Sequence, residues 1–182
     1  PINFEKDNIS GRILKKLSLR PRKKDMQDWN KLIKTIKNPK GEVKIAIVGK
    51  YVDIGDYSLA DSYISINEAL RHSGAALNLG IEIEWIDSKL FENNPNKLNI
   101  LKNYNGIIIP GGFGSSGVEG KINAIGSARK NNIPFLGLCY GLQLAVIEFA
   151  RNVCDMQNAN TTEVDAKTKY PVIDMLPTQK KI

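Results

Sequence analysis

The spacing of apolar residues changes period along the chain. Over residues 1–40 it is helical: Ile9, Ile13, Leu14 and Leu17 share one side of a first segment, and Trp29, Leu32, Ile33 and Ile36 one side of a second. Asp7 or Asn8 is placed to cap the first helix. Arg20-Pro21-Arg22 interrupts it, because the residue before a proline avoids the helical region. The second helix is expected from about Asp25 to Lys37, burying its Trp29 face, and Asn38-Pro39-Lys40-Gly41 ends it. Neither helix has enough apolar surface to be stable alone, so the pair reads as the tail of something upstream.

From Val43 onward, short apolar runs alternate with helical patterns. Val43–Val48 is a β-branched run suited to a central parallel strand. A loop from Gly49 to Tyr57 follows, then a helix capped by Asp61 or Ser62 and running to Gly74. Ile81–Ile86 alternates as a second strand, Asn93–Asn103 is polar and irregular, and Gly106–Ile109 is a third strand. A helix over about Val118–Lys130 leads to a fourth, buried strand at Ile133–Leu138, then a largely buried helix through Leu142, Leu144, Val146, Ile147 and Phe149. This order predicts an α/β fold, a doubly wound and mostly parallel sheet with its site at the strands' C-terminal ends.

Gly137-Leu138-Cys139-Tyr140-Gly141 lies between the fourth strand and its helix, and is the thiol counterpart of the Gly-x-Ser-x-Gly nucleophile elbow. A tight strand-to-helix turn excludes side chains on both flanks. It also sets the sulfur at a helix N-terminus, where amide N–H groups and the dipole favour thiolate. A structural cysteine is the alternative, and paired glycines at a strand–helix junction weigh against it. Pro110-Gly111-Gly112-Phe113-Gly114 leaves the third strand at the same edge. Beside a nucleophile, such a loop suits an oxyanion hole, with the Tyr140 N–H as second donor. No phosphate-binding glycine motif accompanies it.

The net charge of +7 refines this picture, because it is unevenly placed. Residues 1–40 carry 12 Lys/Arg and 4 Asp/Glu, and the remainder 14 and 15. The basic segment lacks interleaved aromatics, which favours a solvated helical connector over a nucleic-acid arm. Two cysteines, Cys139 and Cys154, suggest a reducing compartment, and Cys154 is expected to be packing. No apolar run approaches the roughly 20 residues that span a bilayer. A cytoplasmic protein without membrane or nucleic-acid partners is expected. Glu119 and Lys121 read as the first turn of a solvated helix, and Glu163 as an ordinary surface acid.

Pro110-Gly-Gly-Phe-Gly114 and Gly137-Leu-Cys-Tyr-Gly-Leu-Gln143, at this spacing, resemble the class I, triad-type glutamine amidotransferases. Within these, Gly49-Lys-Tyr-Val52, Asp61-Ser-Tyr-Ile-Ser-Ile-Asn-Glu-Ala-Leu-Arg-His72, Gly117-Val-Glu-Gly-Lys121 and Asn158-Ala-Asn-Thr-Thr-Glu163 are similar to the CTP synthase family, as are the Trp29 helix and Lys37-Asn-Pro-Lys40. The resemblance implies a flavodoxin-like amidotransferase fold, with residues 1–42 a basic linker from an upstream synthetase domain and 43–182 the N-terminal part of the amidotransferase domain. It implies Cys139 as nucleophile, Gly112 and Tyr140 as oxyanion donors, and Gly112, Tyr140, Gly141, Leu142, Gln143 and Glu163 as the L-glutamine site, with no metal in this chain. Ammonia released there would pass to a synthetase domain that uses ATP and Mg²⁺ to aminate UTP to CTP. GTP would be an activator and a homo-oligomer, a tetramer in the family, the assembly.

The chain departs from that pattern in two places. Ser116 stands where many members carry Arg, in the loop linked to the GTP response. The His-x-Glu string expected near the domain's end, which would complete the triad, is absent, so these residues alone are expected to be inactive. The single histidine, His72, is expected at a helix C-terminus, on the sheet edge opposite Cys139. Alternatives are another cysteine-elbow enzyme, peptidase-like or glyoxalase-like, and a non-catalytic amidotransferase-like binding module.

Overall fold

In a computed structural model, the structure describes residues 1–50, 63–112, 116–176 and 178, together with the backbone of 53–54 and 57–58. The expected caps Asp61 and Ser62, Tyr51-Val52, and the Phe113-Gly114 half of the glycine loop lie outside these residues. The chain forms two compact units, Pro1–Glu42 with Ala69–Gly80, and Val43–Glu68 with Ile81–Ile182.

The first unit holds helices α1 (Ile2–Lys6), α2 (Ile9–Lys16) and α3 (Gln27–Lys37), and the second half of α4 (Ile64–Leu77). Its amphipathic faces remain open: Ile13, Leu17, Trp29, Leu32 and Ile36 are exposed, correcting the expectation that α3 buries its tryptophan face. An eleven-residue helix offers too little area to cover itself. The first turn, α1, has no counterpart in the sequence pattern.

Helix α4 passes Gly74 and stops at Leu77, three residues later than expected. Ala75, Ala76 and Leu77 are strong helix formers and carry it on. Asn78 then adopts φ 59°, its N–H bonds the Ala75 carbonyl, and the Leu79 N–H reaches back to the Gly74 carbonyl at 2.8 Å. This pair of bonds is a Schellman stop with asparagine in the left-handed position. His72 is therefore an exposed residue inside the helix, and not at its C-terminus.

The second unit is built on four strands, β1 (Glu42–Gly49), β4 (Gly80–Asp87), β5 (Gly106–Ile109) and β6 (Phe135–Gly137), in the order β4-β1-β5-β6. Short pairs β2 (Asp53–Ile54) with β3 (Tyr57–Ser58), and β7 (Asn160–Thr161) with β8 (Pro171–Ile173), lie outside this sheet. β1 and β5 are parallel with Ile47 opposite Ile108, and β5 and β6 parallel with Ile109 opposite Gly137. Ala46, Val48, Ile107 and Ile109 meet Ile122 and Ile125 of α6 (Val118–Lys130) and Leu144 and Ile147 of α7 (Tyr140–Asn152) in one core. Burying each large aliphatic contributes about 1.5–3 kcal/mol, which stabilises the Val43 and Gly106 runs at the centre of the sheet. The Glu148 carboxylate, 1% exposed, accepts two bonds from Arg129 at 3.0 and 2.8 Å and clamps α7 to α6.

Three expectations are corrected here. Asn93–Asn103 is helical, with α5 (Leu90–Asn93) followed by a 3₁₀ segment, Pro95–Asn103, started by Pro95 in the first turn and anchored by buried Leu101. The fourth strand has three residues and is half exposed at Leu136, because it has a strand neighbour on one side only among the described residues. Helix α7 is buried on one face alone. Leu144, Ile147 and Ala150 face the core, whereas Leu142, Val146 and Phe149 are exposed.

Candidate active site

The chain turns from β6 into α7 through Leu138 and Cys139. Cys139 takes φ 53° and ψ −111°, a conformation that L-residues other than Gly rarely adopt. The flanking glycines have steric causes. A Cβ on Gly137 would stand 2.7 Å from the Gly141 carbonyl, and one on Gly141 would stand 2.0 Å from the Ile109 carbonyl oxygen. The Leu138 N–H donates to that same oxygen at 2.9 Å, and the Gly141 N–H to the Leu138 carbonyl at 2.9 Å. The turn is thus locked from both sides, with Cys139 exposed at its apex.

The loop leaving β5 lies against it. A Cβ on Gly111 would be 3.4 Å from Cys139 Cβ and 3.7 Å from its Sγ. The Tyr63 hydroxyl, shared between the Lys50 carbonyl at 3.2 Å and the Gly111 carbonyl at 3.4 Å, holds this turn, and the Tyr63 ring stacks on Trp85 at 5.2 Å. Nothing in the sequence marks Tyr63 for that task beyond its place in a longer string. At Gly112 the near neighbour is Lys121, whose Nζ would be 3.3 Å from an added Cβ. Lys121 is 2% exposed, so its reading as a solvated residue is overturned. Burial, and then the charge of Lys50, push its pKa down to about 8.

Tyr140 is the first residue of α7, so its N–H has no intrahelical acceptor. Its ring is buried and its hydroxyl has no partner among the described residues. Burial raises the pKa of that hydroxyl, with the negative charges of Glu163 and Glu119 adding to the effect. Gln143, one turn into α7, and Glu163 line a single cleft of about 690 Å³ with Thr161, Thr162 and Asp174. The Glu163 N–H donates to the Thr161 hydroxyl at 3.2 Å. Gly141 is buried beneath the turn and Leu142 is exposed beside it. Two of the candidate glutamine-site residues therefore share one cleft, and Cys139 is not among its lining residues.

Glu119 lies in the first turn of α6 as expected, whereas Cys154 differs from expectation. Glu119 is exposed but paired, with both carboxylate oxygens 3.0 Å from Arg151 Nη1. Cys154, two residues past the end of α7, is exposed and not packed. No group of three or more His, Cys, Asp and Glu suited to a metal ion occurs among the described residues, and no helix among them is long and apolar enough to cross a membrane.

The model of the glutamine amidotransferase class-I family matches residues 58–176, which include both loops and the elbow. The chain belongs to that family. Among amidotransferases it is similar to the CTP synthases of Sulfolobus acidocaldarius, 50% identical over 182 residues, and Methanocaldococcus jannaschii, 50% identical over 188. All of this chain is covered in both comparisons, but it spans about a third of those relatives, 34% of each. Among solved structures it is similar to the glutaminase domain of Trypanosoma brucei CTPS with bound acivicin, at 38% identity and a TM-score of 0.68. That match covers 75% of this chain and 51% of the other. Membership in the amidotransferase family decides against the peptidase-like and glyoxalase-like alternatives. Sequence reasoning missed Lys121, Tyr63 and Arg151, since a charged or phenolic residue carries no sign of which groups surround it once the chain folds.

Proposed function

We propose that this chain is the glutaminase part of a CTP synthase, with Cys139 as its nucleophile. The observation that supports this most directly is the positive-φ cysteine between Gly137 and Gly141, facing Gly111 so closely that a Cβ there would stand 3.7 Å from its sulfur. The thiolate attacks the side-chain amide carbon of glutamine. The N–H groups of Gly112 and Tyr140 stabilise the oxyanion. Collapse of the tetrahedral intermediate breaks the C–N bond, and the departing nitrogen takes a proton and leaves as ammonia. Water then hydrolyses the thioester to glutamate and returns the thiol. His72, exposed in α4, has no part in these proton transfers, which belong to the His-x-Glu string the family resemblance implies. Gln143 and Glu163 hold the amino-acid end of glutamine from their shared cleft, Glu163 pairing with the α-ammonium group. Ammonia passes to a synthetase partner domain, to which ATP, Mg²⁺ and UTP belong. GTP activation and a tetrameric assembly are part of the same reading.

The test uses the full-length protein. A glutamine-like chloroketone should modify Cys139 and leave Cys154 free, as read by peptide mapping, although both thiols are exposed. Glu163→Gln should raise KM for glutamine about 10–100-fold, the worth of a hydrogen bond to a charged group. Synthesis from added ammonia should persist. Labelling at Cys154 with Cys139 untouched, or a glutamine KM that Glu163→Gln leaves unchanged, would defeat the assignment.

A further inference from the structure

Arg151 stands near the end of α7 with its guanidinium spread over two other segments. Its Nη1 donates to both oxygens of Glu119 at 3.0 Å, in the first turn of α6. Its Nε donates to the Ala159 carbonyl at 2.6 Å. Ala159 is fully buried and immediately precedes the short strand β7, whose Thr161 hydroxyl in turn takes the Glu163 N–H at 3.2 Å. One side chain on the nucleophile helix therefore fixes two things. It fixes the start of α6, two residues from the buried Lys121 beside Gly112, and the base of the arm that carries Glu163.

Val172 and Ile173 of β8 pack against the core that α7 shares, and several hydrogen bonds of the arm stay within it. The Asn160 N–H reaches the Tyr170 carbonyl, the Thr162 N–H the Ile173 carbonyl, and the Thr168 hydroxyl the Asn158 carbonyl, so each ties the arm to itself. The Ala159 N–H bonds the Met156 carbonyl just after α7 and sets the exit of the chain, but not its distance from α6. Arg151 is about four-fifths buried, while Glu119 is mostly exposed. A half-solvated pair of this kind contributes little to stability, and its value lies in geometry. Arginine fits the place because its planar fork serves a carboxylate and a carbonyl at once, which a lysine ammonium does less well. Misplacing a binding group by an ångström weakens what it holds without altering the chemistry elsewhere.

We propose that Arg151 is a positioning residue for glutamine, holding the Glu163 arm and the first turn of α6 in register with the helix that carries Cys139. The proposal rests on the glutamine-binding role of Glu163. It requires Arg151 to act on capture of glutamine and not on the bond-breaking step or on the fold.

In the full-length protein, Arg151→Met should raise KM for glutamine about tenfold, with kcat within threefold of its starting value and ammonia-dependent synthesis unchanged. Arg151→Lys, which keeps the charge and reaches one acceptor, should recover part of the loss. Glu119→Gln, at an exposed site, should raise KM by a smaller factor, and its effect should not add to that of Arg151→Met. It also preserves the test if Arg151→Met fails to fold. Glu163→Gln measured alongside separates the two ideas. A raised KM in Glu163→Gln with none in Arg151→Met or Glu119→Gln overturns the positioning role alone, and an unchanged KM in Glu163→Gln overturns the underlying site. Equal losses of glutamine- and ammonia-dependent activity in Arg151→Met, with a lowered unfolding midpoint, would make Arg151 a structural residue and also overturn the proposal.

Discussion

Cys139→Gly in the full-length protein should abolish glutamine-dependent activity and raise stability at the same time. The activity loss follows from removing the nucleophile, which in acyl-transfer enzymes costs on the order of 10⁴-fold or more. The stability gain follows from the backbone. Cys139 is held at φ 53° and ψ −111°, and a non-glycine residue in such a region costs about 1–3 kcal/mol. Glycine removes that strain, although it adds roughly 0.5–1 kcal/mol of unfolded-chain entropy. A net gain of about 1 kcal/mol should appear as a higher urea midpoint with an unchanged slope. Cys139→Ala keeps the Cβ, so it should lose the same activity without the gain. Glutamine hydrolysis within about a hundredfold of the parent in either variant would remove Cys139 from its role. A glycine variant no more stable than the alanine one would show that the elbow stores no strain.

The elbow was legible because its glycines answer to local sterics. The carbonyls that exclude a Cβ at Gly137 and Gly141 belong to the turn itself and to the adjacent strand end, and any chain that makes this turn meets them. The central strands were legible for a related reason, since Ile45–Val48 and Gly106–Ile109 are apolar throughout, and Ala46–Val48 and Gly106–Ile109 are buried on both faces. Helix ends were less so. Gly74 looked like a stop, but asparagines can take the left-handed position too, and Asn78 and Asn132 do so at the ends of α4 and α6. Burial of α7 was overestimated because an apolar side chain records its own preference and not the presence of a neighbour. Leu142, Val146 and Phe149 carry the same apolar signal as Leu144 and Ile147, yet only the latter two face the sheet. Lys121 and Arg151 lie furthest from what a sequence reveals. Their roles depend on groups that are distant along the chain, such as Gly112 and Lys50 for one, and Ala159 with Glu119 for the other.

Replacing Lys121 by Met should stabilise the protein at neutral pH by as much as about 3 kcal/mol, and the advantage should disappear in alkali. Lys121 is 2% exposed at the Gly112 turn, and no carboxylate pairs with it among the described residues. Burial, followed by repulsion from Lys50, lowers its pKa from 10.5 to about 8. Between those two values the unfolded chain holds the proton and the folded chain does not, so stability rises with pH across that window. Below about pH 8 the folded protein carries the full cost of a buried cation, and a shift of this size corresponds to roughly 3 kcal/mol. Methionine has a similar length without the charge, and its flexible thioether fills such a site well. The urea-derived stability difference between the Lys121→Met variant and the parent should therefore be largest near pH 7, shrink from pH 8 upward and vanish about one unit above 10.5, where both states of the parent are largely neutral at this position. Taking the difference between the two proteins cancels the tyrosines and other lysines that titrate in the same range. A gain that does not change with pH would mean that better packing, and not relief of a buried charge, is the source. A loss at pH 7 would mean that the ammonium is compensated in the folded state, and the lowered pKa would have to be abandoned.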